Sequence, residues 1–362
     1  MKTTRREMLK AAGVAALAPA IPIVAQKTSW PPNEAGAPKI CLGVPTTIDE
    51  AGMRAIKQIG VNYVLSGGPP IPWTEDVLRA RINQFKAQGL TLINLMIGGF
   101  PNAIYNRPGR DEDIEKVRQS IRAAGKVGLP IVEYNFYAHR IIEGYYEELG
   151  RAGAGLTAFD YDKIKDLPPL PEEGAHSLEK MWENVTYFLK AIIPTAVESG
   201  VRMALHPNDP PAPISRGSGQ IMSTLAGWKR LVDIVKSPHN GITFDCGVTR
   251  ELGEDPVTVA RYFGSRDCIN HVHFRNVIVR KPYEKYTEVF LDEGQVNMFA
   301  VMQELVKLKY SRGLYPEHPR ALEMDRERGI KSGYANVGGG GFAGEIYNVG
   351  YAKAMLQAVL SR

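Results

Sequence analysis

Four apolar runs of this chain end on residues that can bind a metal. "VRMALH" (201–206) closes on His206, "GITFDC" (241–246) on Asp245 and Cys246, "CINHVHF" (268–274) carries His271 and His273, and "RGLYPE" (312–317) closes on Glu317. Two neutral imidazoles with carboxylate or thiolate donors form a divalent transition-metal site and leave positions for substrate oxygens. A single histidine at the end of an apolar run is ordinarily a core residue bonded to backbone; His206 has company on three other runs, which shifts the expectation to a ligand. Asp245 and Cys246 are neighbours, so on a strand they face opposite ways and only one can serve. His271, His273 and Arg275 share one face, and His271 is either a ligand or a barrel-interior histidine bonded to a neighbour. Arg275 suits a substrate carboxylate, which a guanidinium grips through two parallel hydrogen bonds. The pair Glu317 and His318 can couple a metal ligand with an acid–base group.

These residues need a frame that brings distant strand ends together. From residue 38 onward, eight short apolar runs (39–44, 61–67, 90–97, 130–136, 201–206, 241–246, 268–274 and 312–317) alternate with eight helix-like segments (47–58, 74–88, 111–127, 176–199, 224–236, 256–263, 297–308 and 343–360). Thr74, Ser177 and Ser223 are capping residues at helix starts, and "QGL", "VGL" and "SGV" place a glycine between a helix and the next strand. Eight strand–helix pairs predict a single-domain parallel (β/α)8 TIM barrel over 38–362; a doubly wound sheet needs fewer pairs, and no glycine-rich dinucleotide fingerprint follows the first run. The long loops (137–175, 207–223, 275–296 and 318–342) all leave strand C-termini, the face where barrel enzymes do their chemistry.

The net charge of +5 owes +3 to the first 26 residues, and the near-neutral remainder gives no reason to expect a nucleic-acid partner. Those residues begin "MKTTRREMLK" and continue with an uncharged run, Ala11 to Ala25, that Pro19 and Pro22 interrupt. The pattern predicts a twin-arginine-type export signal over 1–26, followed by a linker (27–37) and a periplasmic or otherwise exported barrel. The run is too short for a stable membrane anchor. Three cysteines, Cys41, Cys246 and Cys268, do not make a disulfide framework.

The motifs "GVRMALHPNDPP", "GITFDCG", "HVHFRNV", "DEGQVNMFAVMQEL" and "YPEHPR" followed by "SGY", with "EYNF" and "GLTAFDYD" before them, resemble in order and spacing the mannonate dehydratases, metal-dependent barrels of the xylose-isomerase-like type. The resemblance implies a hydro-lyase that converts D-mannonate to 2-keto-3-deoxy-D-gluconate with Mn2+ or Fe2+, on a small sugar-acid substrate, and is compatible with a homo-oligomer. It implies His206 and His273 as metal ligands, Glu317 where the family has an aspartate, His318 and Tyr334 as the acid–base pair, and Arg275 near the substrate. The chain departs from the pattern where the family has cysteine: ungapped alignment puts Asp245 there, with Cys246 one position later. Either serves as the sixth-strand ligand, and the flanking Gly241, Thr243 and Gly247 keep a register that favours Asp245. The stretch "YNFYAHR" also departs from the family and bears on substrate choice. A sugar isomerase or epimerase on the same barrel, or a non-catalytic sugar-acid binder, are the alternative readings.

Overall fold

A computed structural model describes residues 35–329 and 335–361. The leader 1–26, most of the linker and Tyr334 lie outside the described residues. The strands in chain order are β1 (Lys39–Val44), β2 (Tyr63–Gly67), β3 (Thr91–Ile97), β4 (Ile131–Tyr134), β5 (Tyr145–Leu149), β6 (Gly155–Asp160) and β7 (Arg202–Leu205). They continue with β8 (Ile214–Ser215), β9 (Ser218–Gly219), β10 (Asn240–Asp245), β11 (Ile269–His273), β12 (Asn276–Lys281), β13 (Lys285–Val289) and β14 (Gly313–Tyr315). Eight of them close into a parallel barrel in the order β1-β14-β11-β10-β7-β4-β3-β2. The eight apolar runs of the sequence therefore become the eight barrel strands.

The helices between them pack by apolar spacing. Ser177 caps the helix Leu178–Ser199 by accepting from the Lys180 amide, and its face of Met181, Val185, Phe188, Leu189 and Ile192 is buried on the barrel. Phe188 stacks on Phe100 with ring centroids 5.1 Å apart, and burying a side chain of that size stabilises by about 1.5–3 kcal/mol. Gly200 ends the helix at φ +67°, a left-handed turn that a β-carbon would strain, and the chain enters β7 two residues later. One cap falls a residue later than the sequence suggests. The Thr224 hydroxyl accepts from the Gly227 amide, while Ser223 donates to the Gln220 carbonyl.

The long segments at the strand C-termini are not plain loops. β5, β6, β12 and β13 form a four-stranded antiparallel sheet in the order β12-β13-β6-β5, and β8 and β9 form a small hairpin. Short helices, Cys246–Glu251 among them, begin directly at strand ends. The β-branched and aromatic residues of "GLTAFD" and "KYTEV" suit pleated strands, and the pairing of Thr157 with Glu288 brings a buried carboxylate over the barrel mouth.

Candidate metal centre

Strand register sets the level at which each chemical residue leaves the barrel. Tyr134 pairs with Leu205, Asp245 with His273, and His273 with Tyr315, so the residues at and just past these ends form one layer. His206 still donates its amide to the Tyr134 carbonyl at 2.9 Å before the chain turns through Pro207. Its ring Nδ1 lies 2.7 Å from the Pro207 carbonyl. A carbonyl only accepts, so Nδ1 carries the proton and Nε2 presents a lone pair.

That lone pair faces a tight set of donors. His206 Nε2 is 3.0 Å from His273 Nδ1 and 4.0 Å from Asp245 Oδ2, and His273 Nδ1 is 2.9 Å from Glu317 Oε2. One atom from each of these four residues lies within 4.8 Å of every other. Ligand atoms around a first-row cation at about 2.1 Å stand roughly 3–3.5 Å apart, so the set fits one ion. Asp245 also caps the helix that follows, its Oδ1 accepting from the Val248 amide at 2.8 Å. Cys246 is the first residue of that helix and sits in the apolar core; burial, then the Asp245 charge, push its thiol well above its ordinary pKa. The structure therefore brings Asp245, and not Cys246, to the other three residues.

Electrostatics favour a cation there. Asp209, Asp245, Glu251, Glu288 and Glu317 surround the Arg275 guanidinium, Arg320 pairs with Glu288, and Glu133 stands 3.5 Å from His273, an excess of carboxylates in a largely buried site. Burial pushes the Asp245 and Glu251 carboxyls upward. Burial works against a charged His273, yet Glu317 and Glu133 outweigh it and raise the ring to about 9. Glu317 stays well below the usual range because His273 and His318 overcome its own burial. A proton on His273 thus compensates charge that a divalent ion would otherwise neutralise.

His318 follows Glu317 with φ +45°, an uncommon conformation for a side chain of this size and a strain that clusters at functional sites. Its Nδ1 is 2.9 Å from Glu288 Oε2 and its Nε2 3.6 Å from Glu317 Oε2. Burial opposes protonation of the ring, but Glu288 and Glu317 raise its pKa. Glu288 itself drops to about 2 because His318, Arg275 and Arg320 outweigh burial.

His206, His273, Glu317 and His318 line a cavity of about 200 Å³ whose wall also includes Glu133, Asn135, Tyr137, Arg140 and Asp209. Arg275 does not line it. The guanidinium, set near the substrate by the family resemblance, is 2 % exposed and surrounded by carboxylates. Tyr134 likewise turns away, its ring against Phe188 in the core. His271 lies deeper in the barrel, near Glu133 and His273, and neither ring nitrogen has a hydrogen-bond partner among the described residues.

Sequence reasoning passed over Glu133, Asp209, Glu251 and Glu288. Glu133 was detectable as a charged residue inside an apolar barrel strand; it is fully buried, with Thr243 and Asn94 donating to it at 2.7 and 2.8 Å. Glu288 and Glu251 lie on elements that the apolar pattern does not announce.

Comparison with known proteins adds an independent line. The family model for D-mannonate dehydratase (UxuA) matches residues 155–360. The chain is 29% identical to the mannonate dehydratase of Oceanobacillus iheyensis over 309 residues, covering 76% of this chain and 86% of that protein. The crystal structure of mannonate dehydratase from Streptococcus suis serotype 2 superimposes with a TM-score of 0.80 at 26% identity, over 90% of this chain and 94% of that one. A D-psicose 3-epimerase from Clostridium cellulolyticum H10 shares the fold alone, with a TM-score of 0.57 at 12% identity over 88% and 99% of the two chains.

Proposed function

Since the chain belongs to the D-mannonate dehydratase family and is therefore a sugar-acid hydro-lyase, we propose that it converts D-mannonate to 2-keto-3-deoxy-D-gluconate and water, with Mn2+ or Fe2+ held by His206, Asp245, His273 and Glu317. The observation that carries the reading is the four-residue donor set, three members of which line one cavity at the barrel mouth. With Asp245 in place of a thiolate, the donors are two imidazoles and two carboxylates, a combination suited to the harder divalent ions. When bound, such an ion supplies Lewis acidity that steadies negative charge on the substrate oxygens.

The chain's own residues supply the proton traffic. Dehydration removes the proton on the carbon beside the carboxylate and expels the neighbouring hydroxyl as water. His318 exchanges a proton with the substrate through Nε2, its Nδ1 being tied to Glu288. Tyr334 is the second acid–base group in this reading. Arg140, on the stretch that departs from the family, is the guanidinium lining the cavity that serves the substrate carboxylate. The basic leader exports the folded chain, which cell fractionation with and without Arg5 and Arg6 tests.

The enzymatic test is incubation of the purified protein and Mn2+ or Fe2+ with D-mannonate and a panel of hexonic and pentonic acids. The expected product has lost one water and reacts as a keto acid. A product of unchanged mass would mean isomerisation, and binding without turnover at any metal would mean a sugar-acid binder.

A further inference from the structure

Arg275 is fully enclosed within the site, and its contacts say what it is for. It follows β11 two residues after His273, on the same face. Its Nε donates to Asp245 Oδ2 at 3.1 Å and stands 3.3 Å from Glu317 Oε1 as an ion pair, so one edge of the guanidinium faces both carboxylates of the donor set. Nη1 reaches Glu251 Oε1 at 2.8 Å and Glu288 Oε1 at 3.2 Å, and Nη2 reaches Asp209 Oδ2 at 2.9 Å. Every guanidinium nitrogen is engaged, and none is offered to the cavity.

The remaining oxygens of the two donor carboxylates are claimed separately. Asp245 Oδ1 accepts from the Val248 amide, and Glu317 Oε2 faces His273. Asp245 is thus hydrogen-bonded at both oxygens, and Glu317 lies between the charges of His273 and Arg275. The backbone leaves room for the clamp: a β-carbon at Gly247 would come within 2.8–3.0 Å of Arg275 Cγ, Nε and Cζ.

We propose that Arg275 is a positioning residue of the metal centre, orienting Asp245 and Glu317 toward the ion rather than binding the substrate. This rests on the metal reading above. Groups that orient ligands from behind commonly change metal affinity by 10–100-fold when removed. A lysine keeps the charge but loses the planar fork, so it cannot bridge Asp245 and Glu317 while also holding Glu251 and Asp209.

The test measures Mn2+ affinity by titration calorimetry on Arg275→Lys and Gly247→Ala, and KM for the sugar acid at saturating Mn2+. A positioning role predicts a Mn2+ Kd raised about 10–100-fold in Arg275→Lys and in the same direction, less strongly, in Gly247→Ala. KM at saturating Mn2+ then stays within about twofold of wild type, since ligand geometry and not substrate contact has changed. A folded variant with wild-type Mn2+ affinity and a raised KM would overturn the proposal and return Arg275 to the substrate. If Arg275→Lys fails to fold, as circular dichroism would show, Gly247→Ala decides by the same two quantities. Failure of the underlying reading looks different: wild-type protein would bind no Mn2+ or Fe2+, and His206→Ala would change nothing in the titration.

Discussion

Two histidine–carboxylate groups share the barrel of this protein, one above the other, and His273 belongs to both. Of the upper group, His206, Asp245, His273 and Glu317, all but Asp245 line the cavity; in the lower, Glu133, His271 and His273, the fully buried His271 ring does not reach it. Proximity does not separate them, because each gathers its donor atoms within the same 4.8 Å. Their surroundings do. In the upper group Pro207 fixes the His206 tautomer, Arg275 and Val248 donate to Asp245, and the Arg275 charge stands 3.3 Å from Glu317. In the lower group Glu133 is held by Thr243 and Asn94, while both His271 nitrogens lack a hydrogen-bond partner among the described residues. Outer hydrogen bonds that leave a ligand's lone pair exposed mark a binding centre; crowded donors without them do not.

The sharpest way to break this comparison is His206→Ala. It removes an upper ligand whose lone pair is already aimed, and it should abolish both bound metal and dehydratase activity; elemental analysis and the keto-acid assay on one sample check this. Asp245→Ala and Cys246→Ala test the neighbours that the sequence could not separate. The aspartate variant should lose metal and, with the cap gone, about 1 kcal/mol of stability. The cysteine variant should keep metal and activity and lose only about 1 kcal/mol through core packing. Next in size is His318→Gln. Metal content should hold while kcat falls about 10²–10⁴-fold, the range for one acid–base group, and retained kcat would remove His318 from the chemistry.

The sequence made the barrel legible because its strands are short apolar runs at regular spacing, and that period survives whatever the loops do. It made His206, His273 and Glu317 legible because each ends such a run. Asp245 against Cys246 was half legible: alternation excludes both together, but the deciding fact is that the helix begins at Cys246 and turns its side chain into the core. The sheet of β5, β6, β12 and β13 was not legible, since "YYEEL" and "NVIVRK" mix charges with apolar residues and the pairing of β6 with β13 that joins the two hairpins spans more than a hundred residues of chain. With that sheet went Glu288, one of the carboxylates that enclose Arg275. A guanidinium at a strand end looks the same in sequence whether it faces a ligand or a ring of carboxylates.

A test of the lower group concerns stability rather than catalysis. Burial lowers His271 from 6.5 to about 4, outweighing the opposing pull of Glu133. The unfolded chain therefore binds a proton at this residue between pH 6.5 and 4 while the folded protein does not. Stability is complete above pH 6.5 and falls as the pH drops toward 4, by up to about 3 kcal/mol from this group. An ion in the upper group adds positive charge nearby and acts in the same direction. His271→Leu removes the titration and two unpartnered ring nitrogens, so its denaturant midpoint should lose that part of the acid slope and remain near wild type or above it at pH 7. Metal content should be unchanged. If His271→Leu instead lost the metal, the lower group would be part of the binding centre and the distinction drawn from outer hydrogen bonds would fail.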